Sequence, residues 1–220
     1  MKANDPNTTV LCSCDSPKTA VIWLHGLGSH GSDFEDFIDQ IKLPDGIKLI
    51  LPHAPSRPVT LNGGMSMPAW CDVLELGLDA ETDQESVLKA IQFAHDLVYH
   101  ERALGFSPKQ IVLGGFSLGG IVALTSAIHY PEQLLGAVGF SCFLTTKTIV
   151  PLATEKSTPI LMCHGEDDDV IAVNDSKSTM LSLRSSQYDV DWHSFPMGHT
   201  VCQAEMDTLN DWLLKRLSSA

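Results

Sequence analysis

Basic side chains are scarce in this sequence. Fourteen lysines and arginines stand against 27 aspartates and glutamates, which gives a net charge of −13 at pH 7, and no run of lysine or arginine offsets that balance. Such a chain repels the phosphate backbone of nucleic acids and the surface of anionic lipids. We therefore expect no nucleic-acid partner.

Long hydrophobic runs are also missing. No apolar stretch is long enough to span a bilayer. Residues 1–9 are polar and include Asp5 and Pro6, whereas a signal peptide begins with basic residues followed by an apolar core. We expect neither a transmembrane segment nor a signal peptide.

The cysteines do not form a Cys-x-x-Cys pair. They stand at Cys12, Cys14, Cys71, Cys142, Cys163 and Cys202. In a chain of 220 residues this scatter resembles neither a disulfide framework nor a zinc site. We expect reduced thiols, no metal, no cofactor and a cytoplasmic location.

What the sequence does contain is a regular alternation of strand-like and helix-like segments. Apolar runs predict strands at 20–24, 47–51, from 111, and at 135–141, 159–164 and 190–195; helical spacing predicts helices at 32–43, 82–104, 121–129, 174–183 and 201–217. With 44% hydrophobic residues, the chain can bury a sizeable core. We expect one α/β domain over residues 1–220, with a mainly parallel central sheet and helices on both faces. Residues 1–18 would form an N-terminal strand region or extension.

One long segment breaks this alternation. Residues 52–78 contain four prolines and the run Asn62-Gly63-Gly64, which indicate a loop. Met65, Met67 and Trp70 lie in it without clear periodicity. Long loops in compact domains tend to be functional or disordered, and these apolar side chains favour function.

The most informative motif is Gly115-Phe116-Ser117-Leu118-Gly119, which lies between an apolar run and a helix-like run. Strand, sharp turn and helix in that order are typical of a nucleophile elbow, where the two glycines leave room for a tight crossing. Ser117 would then point into the crevice at the top of the sheet. The alternative is a glycine-rich turn with an incidental serine.

Two further loops follow predicted strands and would open at the same edge of the sheet. One carries four consecutive carboxylates at 166–169, and the other carries His199. The order serine, acid, histidine is that of an α/β-hydrolase: His199 would take the proton of Ser117, and a carboxylate, for which Asp168 is our candidate, would orient the imidazole. The N–H groups of Leu118 and Leu27 would meet the oxyanion. The alternatives are a surface histidine and a solvated acidic turn or weak cation site.

Several motifs closely resemble those of the acyl-protein thioesterase and phospholipase/carboxylesterase family. The resemblance runs from about Ala20 to the C-terminus. It is carried by His25-Gly26-Leu27-Gly28, Arg57-Pro58-Val59-Thr60-Leu61-Asn62, Met67-Pro68-Ala69-Trp70-Cys71-Asp72, residues 114–120, His164-Gly165 followed by Asp168, and His199-Thr200-Val201-Cys202-Gln203. The second and third of these are more specific than the elbow, which many hydrolases share.

The resemblance implies an α/β-hydrolase fold without a separate cap domain and a triad of Ser117, Asp168 and His199. It also singles out Asp168 among the four carboxylates. The segment from Leu61 to Trp70 looks like the family's acyl-binding loop, so Leu61, Met65, Met67 and Trp70 are expected to contact substrate. The chain departs from the family at Leu118, where glutamine is usual, at Ser29, where aspartate is usual, and at the segment from Cys142 to Thr145.

Together these observations predict a serine carboxylesterase or thioesterase that hydrolyses acyl esters or thioesters through an acyl-enzyme. The acyl donor could be a small molecule, a lipid or an acylated protein. The rival within this class is a protein-depalmitoylating thioesterase or a lysophospholipase with a preference for long chains. The rival outside it is a non-catalytic module that binds a lipid or a protein. The apolar loop could also form a homodimer contact.

Overall fold

A computed structural model describes residues 7–145 and 156–218. Its strands are β1 (Thr8–Cys12), β2 (Thr19–Leu24), β3 (Ile47–Pro52), β4 (Ser56–Val59), β5 (Met65–Pro68), β6 (Ile111–Phe116), β7 (Gly136–Phe140), β8 (Ile160–Gly165) and β9 (Val190–Phe195). Seven of them form a sheet in the order β1-β3-β2-β6-β7-β8-β9. β1 is antiparallel to β3, and the other neighbouring pairs are parallel. The sheet is therefore mainly parallel, as predicted, with an antiparallel edge strand contributed by the N-terminal region.

Helices cover both faces of this sheet. They are α1 (Phe37–Gln40), α2 (Gln84–Ala103), α3 (Leu118–His129), α4 (Val173–Ser185) and α5 (Gln203–Leu217). Alternate residues of a strand point to opposite faces, so Ile22 packs in the cluster with α2, α3 and α4, whereas Trp23 packs in the cluster with α1 and α5. This two-sided burial explains why β2 is apolar at every position after Thr19. The predicted α/β architecture is confirmed.

The predicted helix over residues 32–43 is wrong in its extent. Residues Gly31–Phe34 form a 3₁₀ turn, and α1 adds only one α-helical turn. The carboxylate of Asp33 accepts hydrogen bonds from the N–H of His30 at 2.9 Å and the hydroxyl of Ser29 at 2.5 Å, which fixes a tight turn at this point. Phe34 and Phe37 still reach the ring of Trp23, so the helical spacing of apolar residues is satisfied by two short turns.

Residues 52–78 are more ordered than the predicted loop. β4 and β5 form an antiparallel hairpin that is closed by a 3₁₀ turn, Thr60–Asn62. Gly63 and Gly64 follow this turn with φ values of 65° and 80°, a backbone region that glycine adopts readily. The carboxylate of Asp72 accepts hydrogen bonds from the N–H and the hydroxyl of Thr60, which ties the hairpin to the segment after it.

The strand order places a crevice between β2 and β6. The chain leaves β2 for β3 on one side and leaves β6 for β7 on the other, so the connections diverge at this point. In open α/β sheets, ligands bind outside the carboxyl ends of the strands where such a divergence occurs. The loops that follow β2, β6, β8 and β9 all open at this edge.

Across residues 7–145 and 156–218, no helix combines the length and the apolar character needed to cross a bilayer. All six cysteines are free, and those at positions 71, 142 and 163 are buried.

Candidate active site

Ser117 lies at the junction of β6 and α3, at the centre of the sheet. Its φ of 55° and ψ of −123° are unusual for a residue with a side chain, and such a conformation costs roughly 1–3 kcal/mol. The turn is tight: a Cβ atom at Gly115 would lie 2.4 Å from the carbonyl carbon of Gly119, and one at Gly119 would lie 2.0 Å from the carbonyl oxygen of Leu24. The predicted role of both glycines in the strand-to-helix crossing is confirmed by these contacts.

A chain of hydrogen bonds connects the serine, the histidine and the acid. The Oγ atom of Ser117 lies 2.9 Å from Nε2 of His199, and Nδ1 of His199 lies 2.7 Å from Oδ2 of Asp168. The ring of His199 also contacts that of Phe116, with 4.8 Å between centroids. The three side chains come from loops after β6, β9 and β8, so the parallel sheet brings together residues up to 82 positions apart.

Asp168 is held as an oriented carboxylate. Its side chain is fully buried, and its Oδ1 atom accepts hydrogen bonds from the N–H groups of Val170 at 2.9 Å and Ile171 at 2.8 Å. Burial opposes ionisation, but the hydrogen bonds from His199 and from these two N–H groups outweigh it, so the pKa of the Asp168 carboxyl lies below its ordinary value. The neighbouring Asp167 and Asp169 are exposed.

A second histidine, His164, contacts the loop after β8 that carries Asp168. His164 is fully buried at the end of β8, and its Nε2 atom lies 2.9 Å from the carbonyl oxygen of Ile171 and 3.4 Å from Oδ2 of Asp168. Burial lowers the pKa of His164, so the ring is neutral and its Nε2–H donates to that carbonyl. His164 therefore fixes the loop that carries Asp168.

Two residues that line the crevice beside Ser117, Leu27 and Leu118, have backbone N–H groups without a protein acceptor in the described ranges. Leu118 begins α3, and Leu27 lies in the glycine-rich loop after β2. The N–H of the next residue, Gly28, is occupied by the carbonyl of Pro68 at 2.9 Å. In the described part of the chain, the N–H groups of Leu27 and Leu118 donate no hydrogen bond to protein. Leu118 also lies at the positive end of the helix dipole of α3.

The loop after β2 is braced by His25 and Trp70. The indole N–H of Trp70 donates to the carbonyl of His25 at 2.8 Å, and the two rings lie 4.8 Å apart. The Nδ1 atom of His25 lies 2.8 Å from the carbonyl of Gly26, while Nε2 accepts the N–H of Ala54 at 3.1 Å. Burial lowers the pKa of His25, consistent with the neutral ring that these contacts require.

An apolar cavity of about 300 Å³ opens directly over Ser117 and His199. Leu27, Phe34, Leu61, Val73, Leu76, Phe116, Leu118, Ile121, Val170 and Ile171 supply its apolar wall. A cavity of this size and character suits a hydrocarbon group, with the few polar atoms gathered at one end to fix its orientation.

Of the four residues expected to contact substrate, one lines the cavity and three lie elsewhere. Leu61 lines the cavity. Met65 is 66% exposed at the tip of the hairpin, and Met67 packs against the core with its sulfur 3.1 Å from the amide nitrogen of Asn62. Trp70 is buried and braces His25. Among the described residues, Met65, Met67 and Trp70 do not line the cavity.

Sequence reasoning missed several residues of the cavity wall. Ile121 stands four residues after Ser117, a spacing that brings both to the same face of a helix, so this residue could have been found from the elbow alone. Val73 and Leu76 come from an irregular segment after the hairpin, where no periodic signal exists.

No group of three or more His, Cys, Asp or Glu side chains in the described ranges is arranged to hold a metal ion. What the site does hold is a hydroxyl, an imidazole, a buried carboxylate and two free N–H donors around an apolar cavity. These are the groups needed for acyl transfer to a serine.

The chain is similar in sequence and in fold to known hydrolases. The phospholipase/carboxylesterase family model matches residues 5–217. Acyl-protein thioesterase 1 from Gibberella zeae is 35% identical over 211 residues, which cover 90% of each chain. The crystal structure of Arabidopsis thaliana SOBER1 superposes with a TM-score of 0.85 at 31% identity, covering 90% of this chain and 99% of that one. The crystal structure of Zea mays acyl-protein thioesterase 2 superposes with a TM-score of 0.83 at 33% identity, covering 96% and 98%. This chain therefore belongs to the phospholipase/carboxylesterase family of α/β-hydrolases and is a hydrolase of esters or thioesters.

Proposed function

We propose that Ser117 is the nucleophile of a serine carboxylesterase or thioesterase, with His199 as its general base and Asp168 as the group that orients the base. The observation that carries this proposal is the unbroken line of hydrogen bonds between the three side chains, at 2.7 Å and 2.9 Å. A serine hydroxyl is a weak nucleophile until an imidazole takes its proton, and the resulting imidazolium needs a carboxylate beside it. The lowered pKa of Asp168 supports its part in this arrangement.

The reaction proceeds in two halves. The Oγ atom of Ser117 attacks the acyl carbonyl carbon while its proton passes to Nε2 of His199. The bond from that carbon to the leaving oxygen or sulfur then breaks, and the leaving group takes the proton from His199. Water next attacks the acyl-serine ester, gives its proton to His199, and releases the carboxylic acid as the proton returns to Ser117. One water is consumed for each ester or thioester cleaved.

The negative oxygen formed in each half is stabilised by the N–H groups of Leu27 and Leu118. Both donors are unoccupied by protein acceptors in the described ranges, whereas the N–H of Gly28, the residue after Leu27, is engaged. Donors that point at the developing charge before the reaction begins contribute roughly 3–4 kcal/mol each in enzymes of this kind. The side chain of Leu118 takes no part in this role.

The substrate is an ester or thioester whose acyl chain occupies the apolar cavity of about 300 Å³. The named relatives are acyl-protein thioesterases and carboxylesterases, which supports both oxygen and sulfur leaving groups. We favour a short to medium acyl chain, because a cavity of about 300 Å³ holds a limited length of hydrocarbon. The in-class alternative is a long-chain protein deacylase or lysophospholipase. Rates on butyryl esters compared with palmitoyl thioesters and lysophospholipids separate the two.

An active-site-directed fluorophosphonate tests the proposal. We expect stoichiometric labelling of the native protein and none of the Ser117→Ala variant, together with loss of ester hydrolysis in that variant. A non-catalytic lipid or protein binder would be labelled in neither form and would hydrolyse no ester. Labelling of both forms would assign the nucleophile to another residue.

Location and assembly are also proposals. Six free cysteines support a reducing compartment such as the cytoplasm. Leu61 and Met65 are 40% and 66% exposed at the tip of the β4–β5 hairpin, which supports a homodimer contact there. Sedimentation of the native chain and of Met65→Lys decides the second point: a dimer that the variant abolishes supports it, and a native monomer rejects it.

A further inference from the structure

Of the described residues that line the cavity over the nucleophile, only Ser117, His199 and Ser29 have polar side chains. Ser29 has no part in the proposed relay. It lies in the loop after β2 that also carries Leu27, and it is half-buried. A polar group in an otherwise apolar wall selects the substrate groups that can lie against it, because an unmatched polar group there loses its hydrogen bond with water.

The loop after β2 holds Ser29 one tight turn away from Ser117. A Cβ atom at Gly26 would lie 3.4 Å from Cβ of Ser117, so the backbone of Gly26 packs directly against the serine. The N–H of Ser29 donates to the carbonyl of Gly26 at 3.2 Å, which closes a β-turn. The N–H of Gly28 donates to the carbonyl of Pro68 at 2.9 Å and ties this turn to the hairpin. Ser29 is therefore held close to the point where the acyl carbonyl would lie.

A continuous line of contacts joins Ser29 to His199 along the cavity wall. The hydroxyl of Ser29 contacts Asp33, and the next residue, Phe34, lines the cavity. The ring of Phe34 lies 6.2 Å from that of Phe116, which in turn lies 4.8 Å from the ring of His199. In the proposed reaction the leaving group takes its proton from His199, so it lies beside this ring when the bond breaks. Ser29 therefore borders the space that the leaving group occupies.

The hydroxyl proton of Ser29 is committed to Asp33. The Oγ atom of Ser29 donates to Oδ2 of Asp33 at 2.5 Å, and the N–H of His30 donates to the same oxygen at 2.9 Å. These two hydrogen bonds hold the pKa of the Asp33 carboxyl below its ordinary value, so the group is ionised at neutral pH and can only accept. In the described ranges, no protein group donates to Oγ of Ser29. This oxygen therefore offers lone pairs, and no proton, to a group in the cavity.

We propose that Ser29 is a specificity-determining residue that accepts a hydrogen bond from the leaving group, so that the protein prefers esters whose leaving group carries a donor such as a hydroxyl. The inference rests on the proposed function, because it takes the position of the leaving group from His199. A leaving group that carries only an acceptor would meet the lone pairs of Ser29 and leave both groups unsatisfied. The family usually has aspartate at position 29, which would place a full charge there. In this chain the charge lies on Asp33, and Ser29 presents a neutral acceptor.

Esters of butyric acid that differ only in the leaving group test the inference. In 2-hydroxyethyl butyrate the leaving group has a donor, in 2-methoxyethyl butyrate it has an acceptor alone, and in propyl butyrate it has neither. Each ratio of kcat/KM is compared between variant and native protein, so that the intrinsic reactivities of the esters cancel. We expect Ser29→Ala to lower the hydroxyethyl-to-propyl ratio about fivefold, which corresponds to the loss of one hydrogen bond.

Ser32→Ala is the matched control for the loss of a hydroxyl. The hydroxyl of Ser32 contacts His30 and is exposed, and Ser32 is not among the described residues that line the cavity. We expect the native hydroxyethyl-to-propyl ratio in this variant. An equal ratio in the native protein and in Ser29→Ala would overturn the inference.

Asp33→Ala tests the direction of the proton. Without the carboxylate, the hydroxyl of Ser29 can turn and donate, so we expect the methoxyethyl-to-hydroxyethyl ratio to rise about fivefold and the gain to disappear in Ser29→Ala/Asp33→Ala. Asp36→Ala removes an exposed charge whose side chain makes no capping hydrogen bond, and it should keep the native ratio. No gain in Asp33→Ala, or a gain that survives the loss of the Ser29 hydroxyl, contradicts the inference. Failure of the proposed function looks different: native protein and Ser117→Ala would then hydrolyse propyl butyrate equally.

Discussion

At the scale of single residues, each member of the site is held by contacts of its own. Two backbone N–H groups fix the carboxylate of Asp168, that carboxylate fixes His199, and His164 ties down the loop that carries the acid. The backbone conformation of Ser117 is strained, and it is maintained by packing around it. Catalytic groups whose partners are themselves locked keep the narrow geometry that proton transfer requires.

Asp168→Asn tests the orienting role of the acid. An amide in this position donates to Nδ1 of His199 and thereby favours the tautomer that cannot accept the proton of Ser117. We expect kcat to fall by about 10³ to 10⁴. Asp169→Asn is the matched control: that residue is exposed and adjacent, so its kcat should stay within about twofold of the native value. Similar kcat values for the two variants would refute the assignment of Asp168.

Glu205 makes stability depend on pH. It is fully buried in the first turn of α5, and burial raises the pKa of its carboxyl from 4.5 to about 8. The folded state therefore binds more protons than the unfolded state between these pH values. Its contribution is complete below pH 4.5 and is lost on the order of 1.4 kcal/mol per pH unit as the pH rises toward 8.

Glu205→Gln removes this titration while keeping the shape of the side chain. We expect the free energy of unfolding of the variant, relative to the native protein, to rise steadily from pH 5 to pH 8 in urea titrations. The lowered pKa values of the buried His25 and His164 reduce the free energy of unfolding as the pH falls. This effect is the same in the variant and the native protein, so it cancels in the difference between them. The exposed Glu35→Gln serves as the control. A difference that does not vary with pH would show that Glu205 is not buried as described.

At the scale of elements, the sequence predicts the strands and helices that have regular hydrophobic patterns. It does not predict segments whose conformation depends on local side-chain hydrogen bonds or short strands. β2 and β9 were predicted nearly to the residue, since apolar runs and turns mark their ends. The helix predicted at 32–43 failed because the side chain of Asp33 closes a tight turn that periodicity does not reveal. The β4–β5 hairpin was missed because its strands are short and contain Pro58 and Pro68, although Asn62-Gly63-Gly64 marked its turn.

Some residues of the candidate site could likewise be predicted from the sequence and others could not. Motifs pointed to the serine, acid and histidine, and to the two N–H donors, because each stands directly after a strand. The cavity wall could not be predicted, since it depends on how the hairpin and the segment 71–82 fold over the sheet. Trp70 illustrates the difference: an aromatic residue in the expected acyl-binding loop turns inward and braces His25.

The elbow between β6 and α3 makes a direct prediction about packing. A Cβ atom at Gly119 would meet the backbone of Leu24 at 2.0 Å and that of His25 at 2.5 Å, and backbone atoms cannot move aside as a flexible side chain can. We expect Gly119→Ala to lower the free energy of unfolding by about 3 kcal/mol or more. At Gly198 the nearest atom would lie 3.7 Å away, so Gly198→Ala should be mild by the same urea assay. Equal stability of the two variants would contradict the described crossing.

At the scale of the whole molecule, the strand order and the net charge act together on the substrate. The diverging connections at β2 and β6 create the crevice, and the loops around it carry part of the charge of −13. Glu166, Asp167 and Asp169 are exposed at the same edge as Ser117. The resulting field repels anionic substrates and is screened by salt, with a Debye length of about 10 Å at 0.1 M.

This field predicts a salt effect that depends on substrate charge. Raising the ionic strength from about 0.01 M to about 0.2 M should increase kcat/KM several-fold for an ester whose acyl group ends in a carboxylate. A neutral ester of the same chain length should change by less than about twofold. If kcat/KM changed by the same factor for both esters, the negative charge of the protein would have no effect on substrate binding at the site.

In the proposed mechanism, Ser117 and His199 act as one unit. The most direct measurement is kcat for p-nitrophenyl butyrate in Ser117→Ala, His199→Ala and the double variant, each confirmed to be folded. We predict that each single substitution lowers kcat by about 10⁴ or more. The double variant should be no slower than either single one, because removing one partner already abolishes the proton transfer that needs both. Losses that multiply in the double variant, or a near-native rate in either single variant, would contradict the claim.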